Sequence, residues 1–280
     1  AASDVYKRQV KELIYTDDTA MAIGIVESLL ERGYLDTEHL GETFQKNFRR
    51  EPWRGYASGP PTIFAAVNQT GATYVETAKS LFGGRGSFGN GAAMRVAPVG
   101  LIYHDSPDLY EKVNLSASVT HAHPVGVDGA AIQAKAVAQA VKIDPEAEFS
   151  PDDFLIGLIE FTRIPEMKNK LLLVQRLITE NTSPMRAAQQ IGRSVSAHES
   201  IPFSIYSFLL YPRSFENCLY CAILNGGDRD TLGAMAGAIS GAYLGVEAIP
   251  HEWLQKLENR IKIQELAQRL IEKHTENPVT

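Results

Sequence analysis

The sequence predicts an all-α fold. Apolar residues recur with the helical period along most of the 280-residue chain, strict alternation is scarce, and the breaks between periodic stretches are short. In chain order, residues 19–30 place Met21, Ile25, Val26, Leu29 and Leu30 on one stripe, and Gly33 stands where a helix-ending glycine belongs. Residues 40–48 and 74–81 read as helices. Residues 129–141 are alanine-rich, with Ile132, Ala136 and Ala140 four apart. Residues 171–178 suit a strand, but their charged flanks suit a helix equally. Residues 187–198, 205–210, 215–224 and 253–272 complete the helical stretches. In residues 231–245, Gly233, Gly237, Gly241 and Gly245 share one helix face, which predicts close approach by another backbone. Each glycine costs about 0.5–1 kcal/mol against alanine in a helix, so four of them predict a tightly packed central helix. Loops at 52–61, 82–91, 143–152 and 179–184 separate the helices. None has the length or bias of an interdomain linker, and there is no internal repeat.

The composition excludes several classes. A net charge of -6 without a Lys/Arg run argues against a general nucleic-acid binder. The one segment that suggests a membrane span, residues 231–246, has sixteen residues without charge, short of the roughly 20 apolar residues required, and is filled with Gly and Ala. The two cysteines, Cys218 and Cys221, are too few for a disulfide framework and lack a second pair for zinc, so both read as helix-core residues in a reducing compartment. The start is polar, carries no signal peptide and has no initiating Met, which points to a fragment or a processed chain.

Two acidic runs carry the clearest chemistry. Thr16-Asp17-Asp18-Thr19 opens the first strong helix, and Gly226-Gly227-Asp228-Arg229-Asp230-Thr231 opens the glycine-striped one. Each alone reads as a helix cap, since Asp and Thr favour that position and offset the positive end of the dipole. Capping needs one acid, however, and paired carboxylates repel unless a cation lies between them. Two matching runs therefore favour a shared site for a hard cation, Mg²⁺ or Ca²⁺. The third feature is the loop 82–91, with five glycines in ten residues. Its backbone amides have the makings of an anion nest. Gly84, Gly86 and Gly89 match a dinucleotide fingerprint, but the preceding residues read as helix rather than strand. Phe82 and Phe88 flank the glycines and can clasp a planar base; the plain alternative is a flexible loop with two core anchors. In Thr120-His121-Ala122-His123-Pro124 the histidine spacing does not suit zinc, and a hydrogen-bonding role is the commoner outcome.

Together, Thr-Asp-Asp-Thr, Gly-Ser-Phe-Gly-Asn-Gly-x-x-Met-Arg, Thr-His-x-His and Gly-Gly-Asp-x-Asp-Thr followed by Met-Ala-Gly-Ala-Ile-x-Gly-Ala-Tyr resemble the ADP-ribosylglycohydrolase family. The resemblance runs in order from about Leu13 to the end. It implies a single all-α domain over 13–280, with residues 1–12 outside the pattern and the family's first helix missing. It further implies two Mg²⁺ ions held by Thr16, Asp17 and Asp18 on one side and by Asp228, Asp230 and Thr231 on the other. Arg85, Gly86, Ser87, Phe88, Gly89, Asn90 and Gly91 would hold a diphosphate, with Phe82 and Phe88 on adenine, His121 in the cleft and Val195 at the adenosine end.

The implied reaction is hydrolysis of ADP-ribose from serine, from poly(ADP-ribose) or from O-acetyl-ADP-ribose. The alternatives are an arginine-linked hydrolase and a non-catalytic ADP-ribose binder like the crystallin relatives. The resemblance also implies an intracellular monomer of the nucleus, cytoplasm or mitochondrial matrix. Arg229 stands where the family commonly has Thr and is expected to face solvent, where a unit charge pair ~4 Å apart interacts by only about 1 kcal/mol. The family's proton-transferring Glu is expected in a segment upstream of the Thr-Asp-Asp-Thr run. Only Asp4 and Glu12 are acidic among the fifteen residues before Thr16, so the chain as given is expected to bind ADP-ribose but turn it over slowly.

Overall fold

The computed structural model describes residues 12–276. Of the stretch expected to stand outside the family pattern, residues 1–11 therefore lie outside the described residues. Fifteen α-helices run through the described part: α1 (Asp17–Arg32), α2 (Thr37–Arg50), α3 (Gly59–Thr70), α4 (Tyr74–Gly84), α5 (Ala97–Ile102), α6 (Leu109–Ser118), α7 (Pro124–Ala140), α8 (Pro151–Phe161), α9 (Pro165–Thr179), α10 (Pro184–Ile191), α11 (Ala197–Leu210), α12 (Phe215–Leu224), α13 (Arg229–Leu244), α14 (His251–Lys256) and α15 (Arg260–Glu276). Among the described residues β pairing is limited to two isolated bridges, Leu13 with Leu257 and Gly89 with Ser196. The all-α expectation holds, and no described helix is long and apolar enough to cross a membrane.

Three helices, α7, α11 and α13, pack against one another at the centre. The alanine run of α7 makes this possible: Ala130, Ala131, Ala134 and Ala136 are fully buried and keep the inter-helix spacing short. Helix α11 is buried on nearly every face, with Ile201, Phe203, Ile205, Tyr206 and Phe208 fully enclosed and Ser200, Ser204 and Ser207 bonded to backbone carbonyls between them. Burying each such large side chain contributes roughly 1.5–3 kcal/mol. Around this centre α1 packs on α5 and α15, while α12 lies along α13. Cys218 and Cys221 are free and buried on α12, as core residues.

Several predicted boundaries move. Residues 171–178 fall inside the helix α9. The stretch 187–198 is not one helix: α10 stops at Ile191, Gly192 takes φ +93°, and α11 begins at Ala197. The Glu199 carboxylate accepts from the Arg193 and Ser194 amides at 3.2 and 3.0 Å, so a side chain replaces the helical ladder there. The stretch 253–272 likewise breaks at 257–259, where Asn259 has φ +54° and Leu257 pairs with Leu13. The glycine face of α13 meets side chains rather than a bare backbone: Ile223 and Leu219 lie over Gly233, and Leu219 and Phe215 over Gly237.

Candidate active site

Both acidic runs sit at helix starts, yet neither caps its helix. Thr16 and Asp228 occupy the N-cap positions of α1 and α13, and neither side chain accepts from a helix amide. One amide at each start goes instead to a loop carbonyl. The Asp17 N–H donates to the Arg54 carbonyl at 2.8 Å and the Asp228 N–H to the Arg193 carbonyl at 3.0 Å. The acidic side chains are thereby released to face one another. Thr16 Oγ1 donates to Asp18 Oδ2 at 2.6 Å, Asn90 Nδ2 donates to Asp228 Oδ2 at 2.7 Å, and the Thr231 hydroxyl lies beside both Asp18 and Asp228. Residues about 210 apart in sequence share one cluster.

Its electrostatics are unfavourable as they stand. Burial foremost, then the neighbouring Asp18 charge, with Asp230 and Asp228 behind it, push the Asp17 carboxyl up to about 7. Asp18 is raised by burial and by Asp230, against the pull of the Thr16 and Thr231 hydroxyls. Asp228 is also raised, chiefly by burial. No ion pair among the described residues involves any of the four carboxylates. Asp18 Oδ1 is buried without a hydrogen-bond partner. The positive ends of α1 and α13 offset part of the repulsion. Hard oxygen donors, one of them orphaned, fit Mg²⁺ better than a softer metal. As placed, no three His, Cys, Asp or Glu side chains among the described residues form a ready-made metal centre. A cation would have to draw these carboxylates in. Arg229 is exposed, as expected.

The cluster opens into a cleft of about 360 Å³. Asp17, Asp228, Asp230 and Thr231 line one part of it, and Phe82, Ser87, Gly89, Asn90, Gly91, His121 and Val195 another. Thr16, Asp18, Arg85, Gly86 and Phe88 are not among the lining residues, and Arg85 and Phe88 are exposed at the surface. The glycine loop is fixed from two sides. At the start of α7, a Cβ on Gly126 would fall 2.7 Å from the Ser87 carbonyl, so only glycine lets the loop lie on that helix. On the other side the Asn90 amide donates to the Val195 carbonyl and the Ala197 amide to the Phe88 carbonyl, which delivers Val195 to the cleft. The nest is smaller than its composition suggests, because the amides of Gly86, Gly89 and Asn90 are committed to Leu81, Ser87 and Val195. The Ser87 and Phe88 amides have no acceptor among the described residues.

The two aromatics are not equivalent. Phe82 lines the cleft, 56% exposed and with φ +53°. Phe88 packs edge-on against His123 with centroids 5.7 Å apart, and the His123 side chain caps α7 by accepting from the Val125 amide. Arg85 is exposed, and its Nε donates to the Phe82 carbonyl at 3.3 Å. His121 is buried, with Nδ1 2.8 Å from Thr120 Oγ1.

Sequence reasoning missed part of the wall. Gly55 and Ala57 to Pro60 line the cleft from the segment before α3, and Met94, Arg95 and Thr120 complete it. Arg54 explains how that segment is held. Its buried guanidinium donates to Glu258, Glu51 and the Tyr15 carbonyl and lies 4.0 Å from the Tyr15 ring centroid, while its own carbonyl receives Asp17.

The sequence profile of the ADP-ribosylglycohydrolase family matches residues 4–279. The ADP-ribosylhydrolase ARH3 of Bos taurus is 34% identical over 292 residues, covering 94% of this chain and 79% of that protein. The Homo sapiens ARH3 gives the same figures. A solved structure described as an ADP-ribosylglycohydrolase-related protein complex superposes with a TM-score of 0.73 at 25% identity, covering 93% of this chain and 82% of the other.

Proposed function

Because the chain belongs to the ADP-ribosylglycohydrolase family, and is a glycohydrolase on that ground, we propose that it is a Mg²⁺-dependent enzyme releasing ADP-ribose from oxygen-linked carriers: modified serine, poly(ADP-ribose) or O-acetyl-ADP-ribose. The observation that carries this reading is the convergence of two uncapped acidic helix starts on one cleft shared with a glycine loop. Thr16, Asp17 and Asp18 would hold cations from α1, and Asp228, Asp230 and Thr231 from α13. When bound, the cations would orient the ribose hydroxyls and polarise a water. The chain's own groups would do the rest. The Ser87 and Phe88 amides would take a diphosphate oxygen. Phe82, with Phe88 at the rim, would hold adenine, and Val195 would cover the adenosine end. Asn90 keeps Asp228 turned toward the cluster. Fixing the ribose between these groups favours cleavage at its anomeric carbon, where the transition state has oxocarbenium character.

Calorimetric titration with Mg²⁺ of the parent chain, Asp17→Ala and Asp230→Ala tests the cation site. Both variants should lose most of the affinity, and unchanged binding in both would remove the site. Turnover on serine-linked, arginine-linked and polymeric ADP-ribose then tests the carrier. Faster release from arginine would replace the oxygen-linked reading.

A further inference from the structure

Arg95 is fully buried and forms no ion pair among the described residues, although the Asp17 charge reaches it. Its Nη1 donates to the Gly91 carbonyl at 2.7 Å, and its Nη2 donates to the Ser116 carbonyl at 3.1 Å and to Thr120 Oγ1 at 2.8 Å. Its guanidinium carbon lies 4.9 Å from the Phe44 ring centroid. One side chain thus ties the glycine loop, the end of α6 and the segment before α7 into a unit.

The bond to Thr120 constrains the next residue. A guanidinium can only donate, so Thr120 Oγ1 must accept from Arg95. The Thr120 hydroxyl is buried and carries one proton, and its acceptor among the described residues is His121 Nδ1 at 2.8 Å. Were Nδ1 protonated, that hydroxyl proton would be buried without a partner, at the cost of a lost hydrogen bond. Nδ1 is therefore the acceptor and Nε2 carries the ring proton. The Nε2 edge faces the glycine loop: a Cβ on Gly91 would sit 3.2 Å from it and one on Gly89 3.7 Å. Nε2 has no acceptor among the described residues, and His121 lines the cleft.

Resting on the ADP-ribose reading above, we infer that Arg95 and Thr120 are positioning residues that lock His121 in its Nε2–H tautomer, so that the ring donates a hydrogen bond to a phosphate oxygen of the diphosphate held against the glycine loop. Burial, with the Arg95 charge beside it, keeps the ring from taking a second proton and holds it well below the usual histidine range. The donor is neutral and fixed before ligand arrives. Without the Thr120 hydroxyl the other tautomer becomes available, and it turns a lone pair toward the phosphate.

Nitrogen NMR on ¹⁵N-histidine-labelled full chain reads the tautomer directly, with His121→Gln providing the assignment. The parent and Thr120→Ser should both show a protonated Nε2 and an unprotonated Nδ1. Thr120→Val, of the same shape, should show a tautomer mixture and about 3- to 10-fold weaker ADP-ribose binding by calorimetry. A protonated Nδ1 in the parent, or an unchanged tautomer in Thr120→Val, overturns the inference. If Thr120→Val does not fold, the parent spectrum alone decides the tautomer, and Thr120→Ser should keep parental ADP-ribose affinity. Failure of the parent to bind ADP-ribose would overturn the functional reading and the phosphate contact, whereas the spectra judge the tautomer lock independently.

Discussion

His121 is neutral in the folded chain because burial, and then the nearby Arg95 charge, lower it from an ordinary 6.5 to about 3. Between those values the unfolded chain binds a proton that the folded chain refuses. Stability therefore falls as pH drops below the unfolded value, by up to about 1.4 kcal/mol per pH unit. Asp17, raised to about 7, works in the opposite direction in parent and variant alike, so in urea unfolding between about pH 7 and about pH 5 the stability of the parent should fall relative to that of His121→Gln; parallel slopes would mean that His121 is protonated in the fold. At the cleft mouth, Phe82→Ala should weaken ADP-ribose binding by about 1–3 kcal/mol, the usual worth of a base stacked on a ring. Binding of ribose 5-phosphate, which has no base, should not change, and an equal loss for both ligands would place the ring elsewhere. At this scale the sequence was informative about kind and silent about burial. Asp17, Asp228 and His121 stand out as chemistry-bearing residues in their runs. Arg95 and Thr120 sit in the same motifs without a signal, because an arginine is ordinarily exposed and nothing local says that Phe44 will cover it.

Helices were legible where an apolar stripe was long, as in α1 and α12, and their starts were hidden where proline opened them. Pro60, Pro98, Pro151, Pro165 and Pro184 all lie in the first turn of a helix. A proline there removes only an amide that lacks an intrahelical partner anyway, so a residue that reads as a breaker serves as a start. The split between α10 and α11 was hidden for another reason: it depends on Glu199 reaching back to two amides, a bond that periodicity does not encode. The glycines make a sharper test of element packing. A Cβ on Gly237 would meet Leu219 at 3.6 Å and Phe215 at 3.8 Å, ordinary contacts, so Gly237→Ala should stabilise the fold by about 0.5–1 kcal/mol. On α2 a Cβ at Gly41 would lie 2.3 Å from the Tyr74 ring, whose hydroxyl donates to Gln45. Gly41→Ala should cost about 1–3 kcal/mol through that overlap. Thermal melts of both variants decide; a destabilised Gly237→Ala would show that the α12–α13 spacing is tighter than described.

Across the whole molecule the two ends of the described chain are clasped together. Leu13 pairs with Leu257, the Glu258 amide donates to the Leu13 carbonyl, and the Glu258 carboxylate receives the Tyr15 amide and both arms of Arg54. Glu258→Ala leaves a buried guanidinium short of its main partner and should cost about 3 kcal/mol. Because Arg54 also holds Asp17, the variant should weaken Mg²⁺ binding too, and a variant that melts lower yet titrates like the parent would show that clasp and cleft are independent. The joining of distant segments was the least legible feature, since no local pattern announces a pairing across 243 residues. The same distance has a consequence in time. Asp17 leaves the ribosome about 210 residues before Asp228, which at roughly 5–20 residues per second is some 10–40 s. Throughout that interval the first acid pair has no counterpart, and the apolar stripe of α1 waits for α15 to cover it. Over that interval the nascent chain carries only half of the acidic cluster, with its carboxylates open to water rather than to one another.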